Sequence, residues 1–184
     1  MGKFSESISG WFSRENLPVD EDIVRKGVVW NAKGELQSCI FCDIADGKSD
    51  TELLYEDDLV VAFHPLTKSA AKQHILVIPR KHISTVGDLT AEDTVVLDRM
   101  KSVADSLLKC DPSKAQHSFH IPPWNSVDHL HLHAFETPFT SMWNGLRFSE
   151  GKPWCVSFEK VRIWASGAEP LEGPTAETKD EEAV

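Results

Sequence analysis

Residues 129–135 read His129-Leu130-His131-Leu132-His133-Ala134-Phe135, so histidine alternates with an aliphatic residue three times. Side chains two residues apart share one face of a β-strand, so the pattern predicts a strand with three imidazoles on one face. A row of surface histidines or an affinity tag would not alternate with leucine in the middle of a chain. Two chemistries stay open on spacing alone. One is metal chelation by histidines two residues apart, and the other is phosphoryl or nucleotidyl transfer through a covalent histidine.

The rest of the sequence predicts an α+β domain with a mostly antiparallel sheet and one principal helix. Thr90, with Asp93 three residues later, is typical of a helix N-terminus. Behind it, Val96, Met100, Val103 and Leu107 repeat at helical spacing. Apolar runs bounded by turn residues predict strands over 53–55, 59–63, 74–79, 116–121 and 129–135, and 154–164 predicts a strand or a strand followed by a helical turn.

Composition and charge exclude several classes of protein. The formal net charge of −10 argues against broad binding to nucleic acid or to an anionic membrane. No run of 18 or more apolar residues predicts a membrane span, and the first residues do not resemble a signal peptide. The four cysteines are unevenly spaced, with Cys39 and Cys42 close together. We therefore expect an intracellular protein, cytoplasmic or nuclear or both, in a reducing compartment.

The sequence divides into three segments. Residues 1–37 are mixed and polar without sustained periodicity, which predicts a flexible N-terminal segment. Residues 38–166 contain the predicted strands and helix and form one domain. Residues 167–184 hold six acidic residues and one lysine, which predicts a disordered tail.

The complete pattern resembles the histidine triad (HIT) family, in which three histidines are each followed by a hydrophobic residue. The resemblance includes Cys39-Ile-Phe-Cys42, the stretches 57–63 and 74–83, and Phe119-His120-Ile121-Pro122-Pro123. It covers roughly 38–135, and more weakly continues to 164. It is closest to the Hint branch of adenosine 5′-monophosphoramidases. This resemblance implies a HIT-like fold, a five-stranded antiparallel sheet with one main helix and a short second helix, usually assembled as a homodimer.

The resemblance also implies catalytic roles. His131, the middle histidine, would attack phosphorus as a neutral imidazole and form a nucleotidyl-histidine. His133 would assist protonation of the leaving group, with Ser126 as a hydroxyl partner at the same site. His74 would support the triad from beside it.

The expected substrate is a purine nucleotide, AMP joined to an amine or lysine. By resemblance, the nucleotide would lie against seven residues, with backbone N–H groups near Asn125 meeting the phosphate: Phe41, Ile44, Phe63, His64, Leu66, Leu76 and Asn125. Pro65 stands where the family usually places the aspartate that holds the ribose hydroxyls, so ribose recognition departs from the family pattern.

Cys39 and Cys42 have a spacing that suits both zinc binding and thioredoxin-like redox chemistry. The segment Phe41-Cys42-Asp43 gives no sign of the helix that a thioredoxin-like site needs. The resemblance implies a structural zinc ion held by Cys39, Cys42, His82 and His129. Cys110 and Cys155 are interpreted as small buried apolar residues.

Two other functions remain open. The protein could be a nucleotide-sensing adaptor whose hydrolysis is incidental. It could also remove AMP from adenylated DNA ends as aprataxin-like triad proteins do, although no Cys/His pattern for a zinc finger follows Cys155 and the chain ends in acids. The predicted partners are thus a nucleotide and a second copy of the chain, the latter also suggested by the stripe Val96–Leu107.

Overall fold

The computed structural model of the protein describes residues 22–168. Within them, residues 22–39 contradict the predicted flexible segment, because they form an antiparallel three-stranded sheet. Its strands are β1 (Ile23–Arg25), β2 (Val28–Trp30) and β3 (Leu36–Cys39), in the order β1-β2-β3. The predictions for 1–21 and 169–184 lie outside the described residues.

The main sheet has six antiparallel strands where five were predicted, and the α+β class is confirmed. The order is β4-β5-β6-β8-β7-β9. The sixth strand, β9, pairs with β7 through Phe119 and Val156 and covers that edge. The strands are β4 (Leu53–Glu56), β5 (Val60–Phe63), β6 (His74–Pro79), β7 (Ala115–His120), β8 (Leu132–Glu136) and β9 (Cys155–Ser157).

Within residues 22–168, four α-helices accompany the sheets, where one main helix and one short helix were predicted. They are α1 (Ile40–Ala45), α2 (Thr94–Leu107), α3 (Met142–Phe148) and α4 (Phe158–Ala165). The strand-then-helix arrangement of β9 and α4 confirms the prediction for 154–164. None of the helices within 22–168 combines the length and apolar character that crossing a lipid bilayer requires.

Helix α2 packs on one face of the main sheet, as its apolar stripe predicts. The predicted Thr90–Asp93 pair lies one turn before the helix, because a 3₁₀ turn over Ala91–Asp93 precedes α2. Asp93 Oδ2 accepts hydrogen bonds from Thr90 N at 3.0 Å and from Thr90 Oγ1 at 2.8 Å. The buried residues of the helix are Leu97, Met100, Val103 and Ala104. They lie against Val60, Ala62, Ile75, Val77 and Leu132 of the sheet. The stripe therefore belongs to the protein's own core, and it no longer supports dimerisation.

The other face of the sheet carries α1 and the N-terminal sheet. Val61, Phe63, Leu76 and Ile78 point to this side and pack against a second buried cluster: Val28, Cys39, Phe41, Ile44 and Ala45. Strands β5 and β6 are buried along their whole length because alternate side chains enter one core or the other. The candidate catalytic histidines lie on this second face, where His133 is paired with Leu76 and the His131 ring contacts Phe41.

The predicted strand over 129–135 is shorter in the structure. Strand β8 begins at Leu132, so only His133 among the three histidines lies in it. Leu130 N donates to Ile83 O at 2.6 Å, which holds the preceding residues beside the loop after β6. His129 and His131 are therefore held by other contacts than sheet pairing.

Candidate active site

His131 has a free nitrogen lone pair in a buried place. Its Nδ1 lies 2.7 Å from His129 O, and since a carbonyl only accepts, Nδ1 carries the proton. Nε2 is then unprotonated, and it is buried without a hydrogen-bond partner. An unpaired acceptor in the interior is costly, so such atoms are rare in folded proteins. The atom is suited to attack an electrophile.

His133 presents a donor beside that acceptor. Ala70 N donates to His74 Nδ1 at 3.4 Å, so His74 carries its proton on Nε2. His74 Nε2 lies 3.0 Å from His133 Nδ1 and donates to it. The proton of His133 therefore lies on Nε2, which is also buried without a partner. The rings of His131 and His133 are 5.0 Å apart.

Burial keeps these imidazoles neutral. It lowers the pKa of His131 to about 4 and the pKa of His74 to about 3, and it lowers the pKa of His133 well below its ordinary value. Neighbouring imidazoles act in the same direction. At neutral pH the site thus offers one lone pair and one N–H, and no imidazolium charge.

Helix α3 and β7 complete the surroundings of the histidines. The Phe148 ring lies 5.3 Å from the His133 ring and 5.0 Å from the ring of His120. His120 Nε2 donates to Arg147 O at 3.1 Å, and its ring lies 4.9 Å from that of His133. Sequence reasoning did not include His120, Arg147 or Phe148 among the site residues. The signal available for His120 was its place in Phe119-His120-Ile121-Pro122-Pro123.

Ser126 is exposed on the loop before the triad and has no hydrogen-bond partner among the described residues, whereas His133 is buried. The strand register sets the buried Ser118 of β7 opposite His133. The role of Ser126 as a hydroxyl partner at the site stays a prediction.

The residues predicted to bind the nucleotide fall into two groups. Phe41, Ile44, Phe63 and Leu76 are buried in the second core cluster. The Phe41 ring reaches the His131 ring, with centroids 5.5 Å apart. His64 and Leu66 are exposed on the loop after β5. The structure therefore brings Phe41 to His131, while the seventh predicted residue, Asn125, is buried and lines a small cavity beside His131. Whether the others contact a nucleotide stays a prediction.

A small cavity lies beside His131, and Ser84, Thr85 and Val86 among its lining residues were not indicated by the sequence. It is lined by His131, His120, Asn125, Val127, His129, Leu130, Phe119 and the loop residues Ser84, Thr85 and Val86. A larger cavity of about 520 Å³ lies elsewhere, between α2, β7 and α4, with Lys101, Asp105, His117, Glu150 and Glu159 among its lining residues. No triad residue lines it, so its size does not make it the catalytic site.

Cys39, Cys42, His82 and His129 come together as predicted. Their ligand atoms all lie within 4.8 Å of one another. His129 Nδ1 is 3.4 Å from Cys39 Sγ and 3.5 Å from Cys42 Sγ, and His82 Nδ1 is 3.4 Å from Cys42 Sγ. The outer nitrogens have partners: His129 Nε2 lies 3.0 Å from Pro79 O, and His82 Nε2 lies 3.2 Å from Ser84 Oγ. Four soft or borderline donors directed at one point could hold a metal ion.

The environment of Cys39 and Cys42 bears on the thioredoxin-like alternative. Contrary to the expectation from Phe41-Cys42-Asp43, a helix does begin within the pair, because α1 starts at Ile40. However, burial and the neighbouring Cys39 raise the pKa of Cys42 to about 12. Redox-active pairs need a lowered thiol pKa. The environment of Cys42 therefore disfavours thiol–disulfide exchange.

Comparisons with known proteins agree with this geometry. The family model described as "Scavenger mRNA decapping enzyme C-term binding" matches residues 38–148. A bifunctional adenosine 5′-phosphosulfate phosphorylase/adenylylsulfatase of Arabidopsis thaliana is 44% identical over 124 residues, which are 65% of this chain and 84% of the relative. An adenosine 5′-monophosphoramidase of Xenopus tropicalis is 40% identical over 101 residues, 52% of this chain and 65% of the relative.

A solved structure supports the same fold. The HIT family hydrolase of Legionella pneumophila Philadelphia 1 superimposes with a TM-score of 0.53 at 27% identity. The match covers 59% of this chain and 100% of that one.

Proposed function

The chain belongs to the histidine triad family, in its Hint branch, and from that premise we propose that it hydrolyses the P–N bond of nucleoside 5′-phosphoramidates. The substrate would be AMP joined to an amine or lysine. One observation carries the proposal most strongly. The rings of His131 and His133 are 5.0 Å apart, and their buried Nε2 atoms, a lone pair on His131 and an N–H on His133, have no hydrogen-bond partner.

In the first step, His131 Nε2 attacks phosphorus while the P–N bond breaks. The leaving nitrogen keeps the electron pair and takes a proton from a water molecule, so it departs as a neutral amine and leaves a hydroxide that the proton released in the second step neutralises. His133 Nε2–H donates a hydrogen bond to the leaving nitrogen or to a phosphoryl oxygen. The hydrogen bond from His131 Nδ1 to His129 O stabilises the positive charge that develops on the ring.

In the second step, water adds to phosphorus and the P–Nε2 electron pair returns to His131. The water proton passes to solvent, and the products are the nucleotide and the free amine. The intermediate has a P–N bond like the one it replaces, so neither step need be strongly uphill.

Turnover of adenosine 5′-phosphoramidate tests this function. We expect His131→Ala to lower kcat at least about 10³-fold, since removing a nucleophile usually costs this much or more. Rapid acid quenching and intact mass measurement should show an added AMP on the wild type and none on the variant. His117→Gln, which removes an imidazole on the α2 side of the sheet, is the matched control. Normal turnover by His131→Ala would refute the mechanism, and tight AMP binding without wild-type turnover would favour the adaptor.

Adenosine 5′-phosphosulfate is a second candidate substrate. The 44% identical relative is named for chemistry on it. Sulfate leaves without needing a proton, which suits a site whose imidazoles are all neutral. Comparing kcat/KM for the phosphoramidate and the phosphosulfate decides between them.

We further propose that the Cys39, Cys42, His82 and His129 cluster binds zinc. Tetrahedral zinc, with Zn–S near 2.3 Å and Zn–N near 2.0 Å, would separate sulfur from nitrogen ligands by about 3.5 Å. The three measured S···N distances of 3.4–3.5 Å agree with this value. Four protein ligands leave no open position, so zinc would be structural and would orient the triad segment through His129.

The family resemblance also supports a homodimer as the functional form. Sedimentation at micromolar concentration tests it, and a monomer alone would remove the proposal. Free thiols at all four cysteines support a reducing compartment, cytoplasmic or nuclear.

A further inference from the structure

The turn between β1 and β2 places a lysine where a lysine is unfavourable. Lys26 has φ +47° and Gly27 has φ +73°, so this two-residue turn needs left-handed backbone at both positions. Asn and Gly suit such a turn, whereas a long side chain is disfavoured there. Within residues 22–168, Lys26 is the one non-glycine residue with positive φ. A lysine in this strained backbone conformation indicates that its side chain has a role that offsets the strain.

The side chain of Lys26 reaches the loop that precedes the triad. Its Nζ donates to Pro123 O at 2.7 Å and to Asn125 Oδ1 at 2.6 Å. These partners are about 100 positions away in sequence, and both are neutral oxygens. Among the described residues, no carboxylate lies within ion-pair distance of Nζ, and the nearby Asp128 pairs with Arg25 at 2.5 Å. The ammonium is thus oriented by two neutral oxygens, which do not neutralise its positive charge.

The loop itself is rigidly held, which fixes where the ammonium lies. Asn125 Nδ2 donates to Val127 O at 3.0 Å and to Asp128 Oδ1 at 2.8 Å, and Asp128 N donates to Lys26 O at 3.2 Å. Asn125 also lines the small cavity beside His131. One acceptor of the ammonium therefore belongs to the wall of the nucleophile's own cavity.

A positive charge beside the small cavity suits the proposed chemistry. A nucleotide 5′-phosphoryl group carries negative charge, and the residues that line the small cavity beside His131 include no lysine or arginine. An ammonium held next to this cavity by Asn125 would therefore suit an anionic substrate.

We propose that Lys26, held by Pro123 and Asn125, forms an anion subsite that binds the non-bridging oxygens of the nucleotide's 5′-phosphoryl group. The proposal rests on the function proposed above and adds a residue from the N-terminal hairpin to it. Lys26 would exchange one of its hydrogen bonds to the loop for one to a phosphoryl oxygen, and no covalent bond would form or break.

Binding of AMP and of adenosine, measured by calorimetry on the full chain, tests the subsite without relying on turnover. Lys26→Asn removes the charge and fits a left-handed turn, so the hairpin should stay folded. We expect it to weaken AMP binding at least about tenfold, the scale of one charge-assisted hydrogen bond, and adenosine binding less than about twofold. Lys26→Arg should keep AMP affinity within about threefold. Lys33→Asn, the same change at an exposed residue of the turn between β2 and β3, should alter neither affinity.

Equal losses of AMP and adenosine affinity in Lys26→Asn would show that Lys26 only positions the loop, and would overturn the proposal. Unchanged AMP affinity would overturn it as well. If Lys26→Asn melts well below the wild type, Lys26→Gly, equally free at positive φ, repeats the measurement. Loss of the fold in both variants would assign a structural role to the contacts and likewise contradict the subsite. If the wild type binds AMP in this way but turns over no phosphoramidate, the proposed function fails while the subsite stands.

Discussion

At the scale of single residues, the three histidines of the triad differ only in what holds each ring. His129 directs Nδ1 at the cysteine sulfurs because its Nε2 donates to Pro79 O. His131 keeps a lone pair at Nε2 because its Nδ1 donates to His129 O. His133 keeps a proton at Nε2 because its Nδ1 accepts from His74. One side-chain type thus supplies a candidate metal ligand, an acceptor and a donor within five residues.

Asp57 gives a pH-dependent contribution to stability. Burial raises the pKa of this carboxyl, but hydrogen bonds from Arg99 at 2.6 Å and from the backbone of Val60 and Leu59 outweigh burial and lower the pKa to about 2. The folded pKa lies below the unfolded value near 3.8, so the stabilisation is present above about pH 4 and is lost as the pH falls towards 2. After allowance for solvent screening it is worth about 1 kcal/mol.

We therefore expect Asp57→Asn to lower the free energy of unfolding by about 1 kcal/mol at pH 7. Urea denaturation at a series of pH values should show this difference shrinking between pH 4 and pH 2. Asp58→Asn, at an exposed neighbour, is the control. A difference that stays constant down to pH 2 would contradict the linkage to this carboxylate.

At the scale of elements, strong local patterns in the sequence were sufficient to predict the strands of the main sheet. The run His74–Pro79 is buried throughout and is strand β6 over the predicted bounds. Strands β1 to β3 were missed because each has three or four residues, and only Val28 and Cys39 among them are buried. Their stability comes from packing against α1 and the main sheet, which no short window shows. The turn at Lys26-Gly27 between Val-rich residues was the available signal.

Helix α2 supplies much of the larger core. Leu97 is fully buried, so Leu97→Ala should lower the free energy of unfolding by about 3 kcal/mol, by lost burial and the cavity left behind. Val95→Ala, at a residue 64% exposed on the same helix, should change stability by less than about 0.5 kcal/mol. Denaturant unfolding of both variants measures this. Equal effects would show that the helix does not pack as described.

At the scale of the whole molecule, the four-residue metal cluster joins parts that are distant in sequence. Cys39 ends β3, Cys42 lies in α1, His82 follows β6 and His129 precedes β8. The sequence predicted these four residues by resemblance, and the structure brings them together. It could not predict that His131 lies outside a strand or that α3 folds over His133, since both depend on contacts between distant segments.

The cluster predicts a metal-dependent melting temperature. Zinc present at about 100 times its Kd should stabilise the fold by about 2.7 kcal/mol, which corresponds to roughly 5–10 °C for a domain of this size. Purified protein should contain one equivalent of zinc, and a chelator should lower the Tm by that amount. The Cys39→Ser, Cys42→Ser double variant should hold no zinc and melt at the same temperature with or without chelator. Loss of zinc from the wild type with no change in Tm would contradict a structural role.

The position of His131 between two anchored neighbours has a consequence for how the enzyme can change. His129 is tied down by the cluster on one side, and His133 is locked by its register opposite Leu76 and Ser118 on the other. His131, the proposed nucleophile, is the midpoint of a segment whose two ends are four residues apart. Its orientation therefore depends on how both ends are held. We expect this segment to tolerate substitutions but not a change of length. A single inserted residue would leave His129 and His133 in place and turn the His131 imidazole away from phosphorus.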